Sequence, residues 1–274
     1  MAGLTEAEDI SDIAFAYMGS KALFAAIKFD IFTTLAASPL DAGTLAQRVG
    51  LPTERCRTLM TALTSLDLTT VDDDGTFANS PAAAAFLVKG AKYDFSDYLE
   101  RQVGQQMYPL MDQIDDALSG DMAEDATDSY DKWFSDPEEA RLYSESQHAG
   151  SLGPARGLAK RVDLSGVRTL LDVGGGTGAF AITLCKANPD LTATVIDFPN
   201  VAALGEAYVA DAALSDRVTY RHGNALEGDW PDGQDAILMS YLFSGVPDHA
   251  HEGLIAKAFA HLAPGGRLLI HDFV

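Results

Sequence analysis

Residues 11–37 carry apolar side chains at Ile13, Tyr17, Ala22, Phe24, Ile27, Phe32 and Leu35. This helical spacing predicts one broken helix or two consecutive amphipathic ones. An apolar face that long needs a partner surface. The stretch "SPLDAGTLAQRVGLPTERCRTLMTALTSLDL" then predicts two short helices joined at Gly50-Leu51-Pro52, the second starting at Thr53 with Glu54 in its first turn. "LTTVDDDGTFANS" adds two strand-like runs around an Asp-Gly turn, the pattern of a hairpin. Helices and hairpin together predict a winged-helix-like unit over residues 1–95.

From about residue 93 the helical pattern returns, interrupted by "SGDMAEDATDSYD", which is too polar for a core and is expected to be a loop or cap. "PEEARLYSESQHAGSLGPARGLAKRV" resumes as a helix, and 96–162 reads as a connecting and substrate-capping segment. After Ser165 the character changes. "RTLLDV", "TATVID", "RVTYRH", "AILMSY" and "RLLIHDF" read as strands, with helical segments between the first three and before the last. Such alternation predicts an α/β fold over 163–274, with a parallel sheet covered by helices.

Bulk composition narrows the possible roles. The hydrophobic content of 47% supports a packed core. The formal charge of -21 argues against a nucleic-acid partner, because phosphate binding needs clustered Lys and Arg. Residues 1–90 hold six Lys and Arg against eleven Asp and Glu, so the winged-helix-like unit reads as an interaction module and not as a DNA-binding regulator. Cys56 and Cys185 lack metal-ligand spacing and propose no disulfide framework, which fits a reducing cytoplasm. Lys21 and Lys28 interrupt "IAFAYMGSKALFAAIKF", and acids precede it, so no membrane span or signal peptide is expected.

Candidate chemistry gathers at the ends of the predicted parallel strands. "LLDVGGGTGAF" places Gly174, Gly175, Gly176 and Gly178 at a strand-to-helix turn, where backbone amides can approach a ligand closely. With Ala179 the run also satisfies a dinucleotide fingerprint. Asp172, two residues before Gly174, is placed to receive the amino group of an amino-acid-like ligand and would repel a pyrophosphate. Asp197, followed by Phe198, closes the second strand where it can accept ribose hydroxyls. In "HGNALEGDW", Asn224 can bond an adenine edge while Ala225 and Leu226 cover its face. The set fits S-adenosylmethionine (SAM) better than a nicotinamide cofactor, and no metal site is expected.

With these motifs, together with "SKALFAAIKFDIFTTLA", "LYSESQHAGSLGPARGLA", "VIDFP" and "LAPGGRLLI", the chain resembles the small-molecule methyltransferases of the caffeate and acetylserotonin O-methyltransferase type over nearly its whole length. The resemblance implies a class I Rossmann-like sheet that binds SAM, preceded by a domain through which two copies form a homodimer. It also puts Ser151 and Ser240 near the methionine moiety of the cofactor. Asn224, Ala225 and Ser240 depart from the family's usual residues. Relatives continue for a further helix and a hairpin, so residue 274 is expected to be a boundary within a longer protein.

"SYLFSGVPDH" raises the question of the base. Hydroxyl-methylating relatives have "HDW" here, and the register puts their histidine at Ser244, with Gly245 and Val246 for the other two. His249 and His251 come five and seven residues later and are expected to cap the next helix or face solvent. A general base is worth ~100- to 10,000-fold when a hydroxyl must lose its proton. A thioether has no proton to lose. The chain is accordingly similar to the methylthiohydroxybutyrate S-methyltransferases of dimethylsulfoniopropionate synthesis, which implies 4-methylthio-2-hydroxybutyrate as acceptor and no catalytic side chain. Tyr143, Gln147, His148, Tyr241, Phe243 and Ser244 are the expected acceptor wall, with Arg101 or a tyrosine hydroxyl for the carboxylate. The rivals are O-methylation with another base, such as His148, and a SAM-binding protein that does not methylate.

Overall fold

The computed structural model describes residues 4–120 and 134–273, so most of the acid-rich stretch expected to be a loop lies outside the described residues. Residues 1–112 and 113–274 form two compact units.

In the first unit the long apolar stripe forms two helices, Ala7–Lys28 and Ile31–Ala37, broken where Asp30 takes a left-handed backbone. Helices Ala42–Val49 and Thr53–Ser65 follow, joined through a left-handed Gly50. Asp41 starts the first of them by accepting the Gly43 and Thr44 backbone N–H groups at 2.9 and 3.0 Å. Strand β1 (Leu40–Asp41) joins the predicted hairpin, β2 (Thr69–Val71) and β3 (Thr76–Asn79), in an antiparallel sheet of order β1-β3-β2. Ile27, Phe32, Leu45, Met60 and Leu63 are buried in its core.

The first helix differs from the rest of this unit. Ala26 and Ile27 are its buried residues, while Ile13 and Phe15 are 65% and 61% exposed. By length and composition alone it could cross a bilayer, with a window mean hydropathy of 1.3, so Lys21 and Lys28 do not exclude a span as the sequence reading expected.

In the second unit the five predicted strands form one parallel sheet. They are β4 (Thr169–Val173), β5 (Thr192–Asp197), β6 (Val218–His222), β7 (Gln234–Ser240) and β8 (Leu262–His271), in the order β6-β5-β4-β7-β8. β8 begins earlier than expected. Leu262 pairs with Gln234, and after an irregularity spanning the Pro-Gly-Gly segment Arg267 pairs with Ala236.

Period-2 alternation sends Leu170, Val195, Ala236 and Leu238 to one face, against Phe180 and Leu184 of the helix Ala179–Ala187. Leu171, Val173, Ile237 and Met239 face the other way, against Leu254 and Ala258 of the helix Asp248–His261. Each such side chain contributes roughly 1.5–3 kcal/mol on burial. Both faces are covered, which explains why these strands read as continuous apolar runs. The order reverses between β4 and β7, the place where open α/β sheets bind ligands beyond their carboxyl ends.

Candidate active site

Three strands end together at this reversal. β4 runs into the glycine loop, β5 ends at Asp197 and β7 ends at Ser240. Gly174, Gly176 and Gly178 have φ of 65°, 58° and 76°, a region that side-chain-bearing residues rarely adopt. Gly175 is needed for a different reason. A Cβ there would lie 2.7 Å from both Asp172 Cγ and Val195 Cγ1, so the loop packs directly onto β4 and β5.

The loop is also tied by hydrogen bonds. Gly176 N–H donates to Asp197 Oδ2 at 2.7 Å, and Phe198 N–H donates to Oδ1 at 2.8 Å. From the other side Tyr220 donates its hydroxyl to the Gly176 carbonyl at 3.1 Å.

A cavity of about 630 Å³ opens over this loop, within the range of small-molecule and cofactor sites. Gly174, Gly175, Gly176, Asp197 and Phe198 line one side. Asn224, Ala225 and Leu226 line it as well, Asn224 Oδ1 accepting the Leu226 N–H at 2.9 Å, so its amide N–H₂ is the group left to donate. Lys257 holds the same segment by donating to the carbonyls of Ala225, Leu226 and Gly228. Ser151 and Ser240 complete the cofactor positions read from the sequence that reach the wall.

Asp172 does not line the cavity, a correction to the amino-group role expected of it. It is fully buried under Gly175. Burial drives its pKa up to about 7, against the pull of the Ala181 N–H and with the help of Asp197. Asp197 is pushed up to about 6 by burial, opposed by the Gly176 and Phe198 N–H groups.

Of the expected acceptor residues, Tyr143, Gln147 and Tyr241 line the cavity, and Gln147 donates to the Tyr143 hydroxyl at 3.2 Å. His148 does not. Its Nδ1 lies 2.7 Å from Thr177 Oγ1 and its ring stacks on Tyr208 at 4.0 Å. Burial first, then Lys186, pushes its pKa down to about 4, so it braces the glycine loop as a neutral ring.

Phe243 packs against His251 at 4.9 Å and lies off the wall. Ser244 is exposed, its backbone N–H donating to Asp272 Oδ2 at 3.1 Å. Arg101 belongs to the first unit, on the π-helical segment Tyr98–Met107. His251 bonds the Phe243 carbonyl, and His249 is exposed, as expected of a solvent-facing residue, while also lining the cavity.

The sequence reading missed several wall residues. Thr177 and Phe180 were within the glycine motif itself, and Val246 and Pro247 lie directly after the questioned serine. Phe134 had no signal, since its ring joins the site by packing on Tyr143 and Phe198 at 5.3 and 5.5 Å.

The two buried acids set a pH dependence. An acid whose folded pKa is raised binds more protons folded than unfolded, so the stability it confers is lost as pH rises from about 4 toward 7. Asp172→Asn removes that liability. The variant is expected to be more stable than the parent at pH 8 by on the order of 1–3 kcal/mol, with a much smaller gain at pH 4. Chemical unfolding at the two pH values tests this, and an equal effect at both contradicts it.

Family models match an O-methyltransferase domain over residues 121–274 and an O-methyltransferase dimerisation domain over residues 11–89. The 3-hydroxy-5-methyl-1-naphthoate 3-O-methyltransferase of Streptomyces sahachiroi is 32% identical over 97% of this chain and 76% of its own length. The N,N-dimethyltransferase OxyT of Streptomyces rimosus is 30% identical over 100% of this chain and 80% of its own. Among solved structures, human N-acetylserotonin methyltransferase in complex with SAM has a TM-score of 0.85 at 20% identity, covering 98% of this chain and 81% of that one. By the family models and the naphthoate relative, the chain belongs to the O-methyltransferase family.

Proposed function

We propose that the protein transfers a methyl group from SAM to a hydroxyl oxygen of an aromatic small molecule. S-adenosylmethionine is the cofactor; it supplies an electrophilic methyl carried on a sulfonium. The residues of the cavity fit it. Asp197 retains lone pairs for ribose hydroxyls, Asn224 offers N–H donors beside a slot covered by Ala225 and Leu226, and the glycine loop leaves no side chain in the way.

The observation that carries the acceptor reading is the rest of the wall. Phe134, Tyr143, Phe180, Phe198 and Tyr241 line it, and among the described residues no Lys or Arg does. Such a wall suits a flat aromatic ring. A thioether acid would bring a carboxylate that needs a cation.

Ser244 does not weigh against oxygen as the acceptor. Its exposed position, bound to Asp272, puts it off the cavity, so its identity does not report the acceptor atom as the sequence reading assumed. The relatives support the same class. One is named for methylating a hydroxynaphthoate, another is the tetracenomycin polyketide synthesis 8-O-methyl transferase of Streptomyces glaucescens.

Incubating the protein and SAM with naphthols, other phenols and thioether acids, followed by mass spectrometry, tests the proposal. Methyl ethers are the expected products. A sulfonium from 4-methylthio-2-hydroxybutyrate with no methyl ether from any phenol would falsify it.

Cofactor binding carries its own prediction. Asp197→Asn replaces a charged acceptor facing two N–H groups, and such bonds contribute about 1.5–3 kcal/mol. The Kd for SAM should rise roughly 10- to 100-fold by calorimetry. In the parent, affinity should weaken as pH falls through about 6, where the carboxylate takes up a proton.

The first unit pairs with a second copy of the chain through the exposed apolar face of Ala7–Lys28, consistent with its match to the dimerisation domain. Light scattering should give a dimer for the parent and a monomer for Ile13→Asp with Phe15→Asp. A monomeric parent would sink this assignment.

A further inference from the structure

Hydroxyl methylation leaves a proton to be removed, and Ser244 cannot reach it from outside the cavity. At the end of β7, Ser240 is buried and lies on the cavity wall. Its register partner on β8 is His271, and the two side chains meet, Ser240 Oγ lying 3.0 Å from His271 Nδ1. The strand ends are tied again by the Tyr241 N–H, which donates to the His271 carbonyl at 2.8 Å. Tyr241 has a φ of 55°, a backbone conformation costing about 1–3 kcal/mol in a bulky residue, and such strain gathers at functional sites. Phe180 and Tyr241 pack their rings against the imidazole at 5.2 and 4.8 Å.

We propose that Ser240 and His271 form the proton relay of the methyl transfer, Ser240 touching the acceptor hydroxyl and His271 taking the proton behind it. This rests on the O-methylation reading. The acceptor O–H bond breaks as its proton binds Ser240 Oγ, while the original Oγ–H proton passes to the Nδ1 lone pair of His271. The electron pair left on the acceptor oxygen forms the O–CH₃ bond, and sulfur keeps the pair of the broken S–CH₃ bond. One positive charge disappears at sulfur and one appears on the imidazole. His249 is the other histidine to weigh. It also lies on the cavity wall, but it is exposed in the first turn of its helix, whereas Ser240 and His271 are held by paired strands.

Two measurements test the relay. In the first, made without cofactor or acceptor, nitrogen NMR of histidine-labelled protein at mildly alkaline pH reports the tautomer. His271 is expected to carry its proton on Nε2, with Nδ1 accepting from Ser240 and its signal moving in Ser240→Ala. A proton found on Nδ1 overturns the relay, because that atom then has no lone pair to offer.

The second compares methyl transfer to a naphthol that is protonated at the assay pH with transfer to a nitronaphthol already ionised there. His271→Asn is expected to slow the neutral acceptor ~100-fold or more and the ionised one less than about threefold, and Ser240→Ala to slow the neutral acceptor far more than the ionised one. The double variant should be no slower than either single one, since the pair acts as a unit. An equal loss on both acceptors, no loss on the neutral one, or a selective loss in His249→Asn overturns the relay while leaving O-methylation intact. Failure of the parent protein to methylate any hydroxyl removes the O-methylation reading and the relay with it.

Discussion

The close packing of Gly175 on the Asp172 carboxylate is the contact on which the cofactor side of the site depends. It lets the loop after β4 lie flat across two strand ends, bringing the Gly176 N–H to Asp197 at 2.7 Å. Tyr220 and His148 then hold the loop from the two flanking sides, one through the Gly176 carbonyl and one through Thr177. Any side chain at 175 would lift the loop off the sheet. Asp197, the loop and both braces would then lose register together.

That packing has an energetic cost. Asp172 and Asp197 are both buried, Asp197 raises the proton affinity of Asp172, and burial favours the neutral form of each. Asp197 recovers part of the loss by accepting two backbone N–H groups, while Asp172 is opposed only by the pull of the Ala181 N–H. The apolar layers around β4 and β7 are large enough to hold this strain, which is the usual arrangement at a functional site: rigid strands carry an unfavourable electrostatic feature to a fixed place.

Much of this was legible in the residues. The five strands, the paired helices of the first unit and much of the cavity wall around the glycine loop follow from period, turn chemistry and strand-end position, all of which are local. The failures came where a side chain's direction is decided by packing. Asp172 stands at the correct strand end, but only the fold puts Gly175 over it. On the helix Pro137–Arg161, Tyr143, Ser144, Gln147 and Ser151 line the cavity. At about 100° per residue they span roughly 100° of the helix surface, and His148 falls about 40° beyond their edge. That small rotation turns an expected acceptor contact into a brace. Phe134, distant in sequence from its aromatic neighbours, could not be found by any local rule.

Ser244 shows the limit of register reasoning most clearly. Matching a motif residue by residue fixes which amino acid occupies a position, but the short turn Phe243–Gly245 decides where it points, and here it points to Asp272. Parallel pairing is more informative. Ser240 and His271 are register partners on neighbouring strands, so their side chains share a face and are brought together by the sheet itself. A group held by a sheet ladder is better fixed than one on a turn, because moving it requires breaking the pairing of its strand with its neighbour. Proton chemistry needs that fixity, since transfer depends on heavy atoms staying within hydrogen-bond reach. A histidine absent from the turn therefore leaves the chemistry of the cavity open, and the strand ends are the place to look for its replacement.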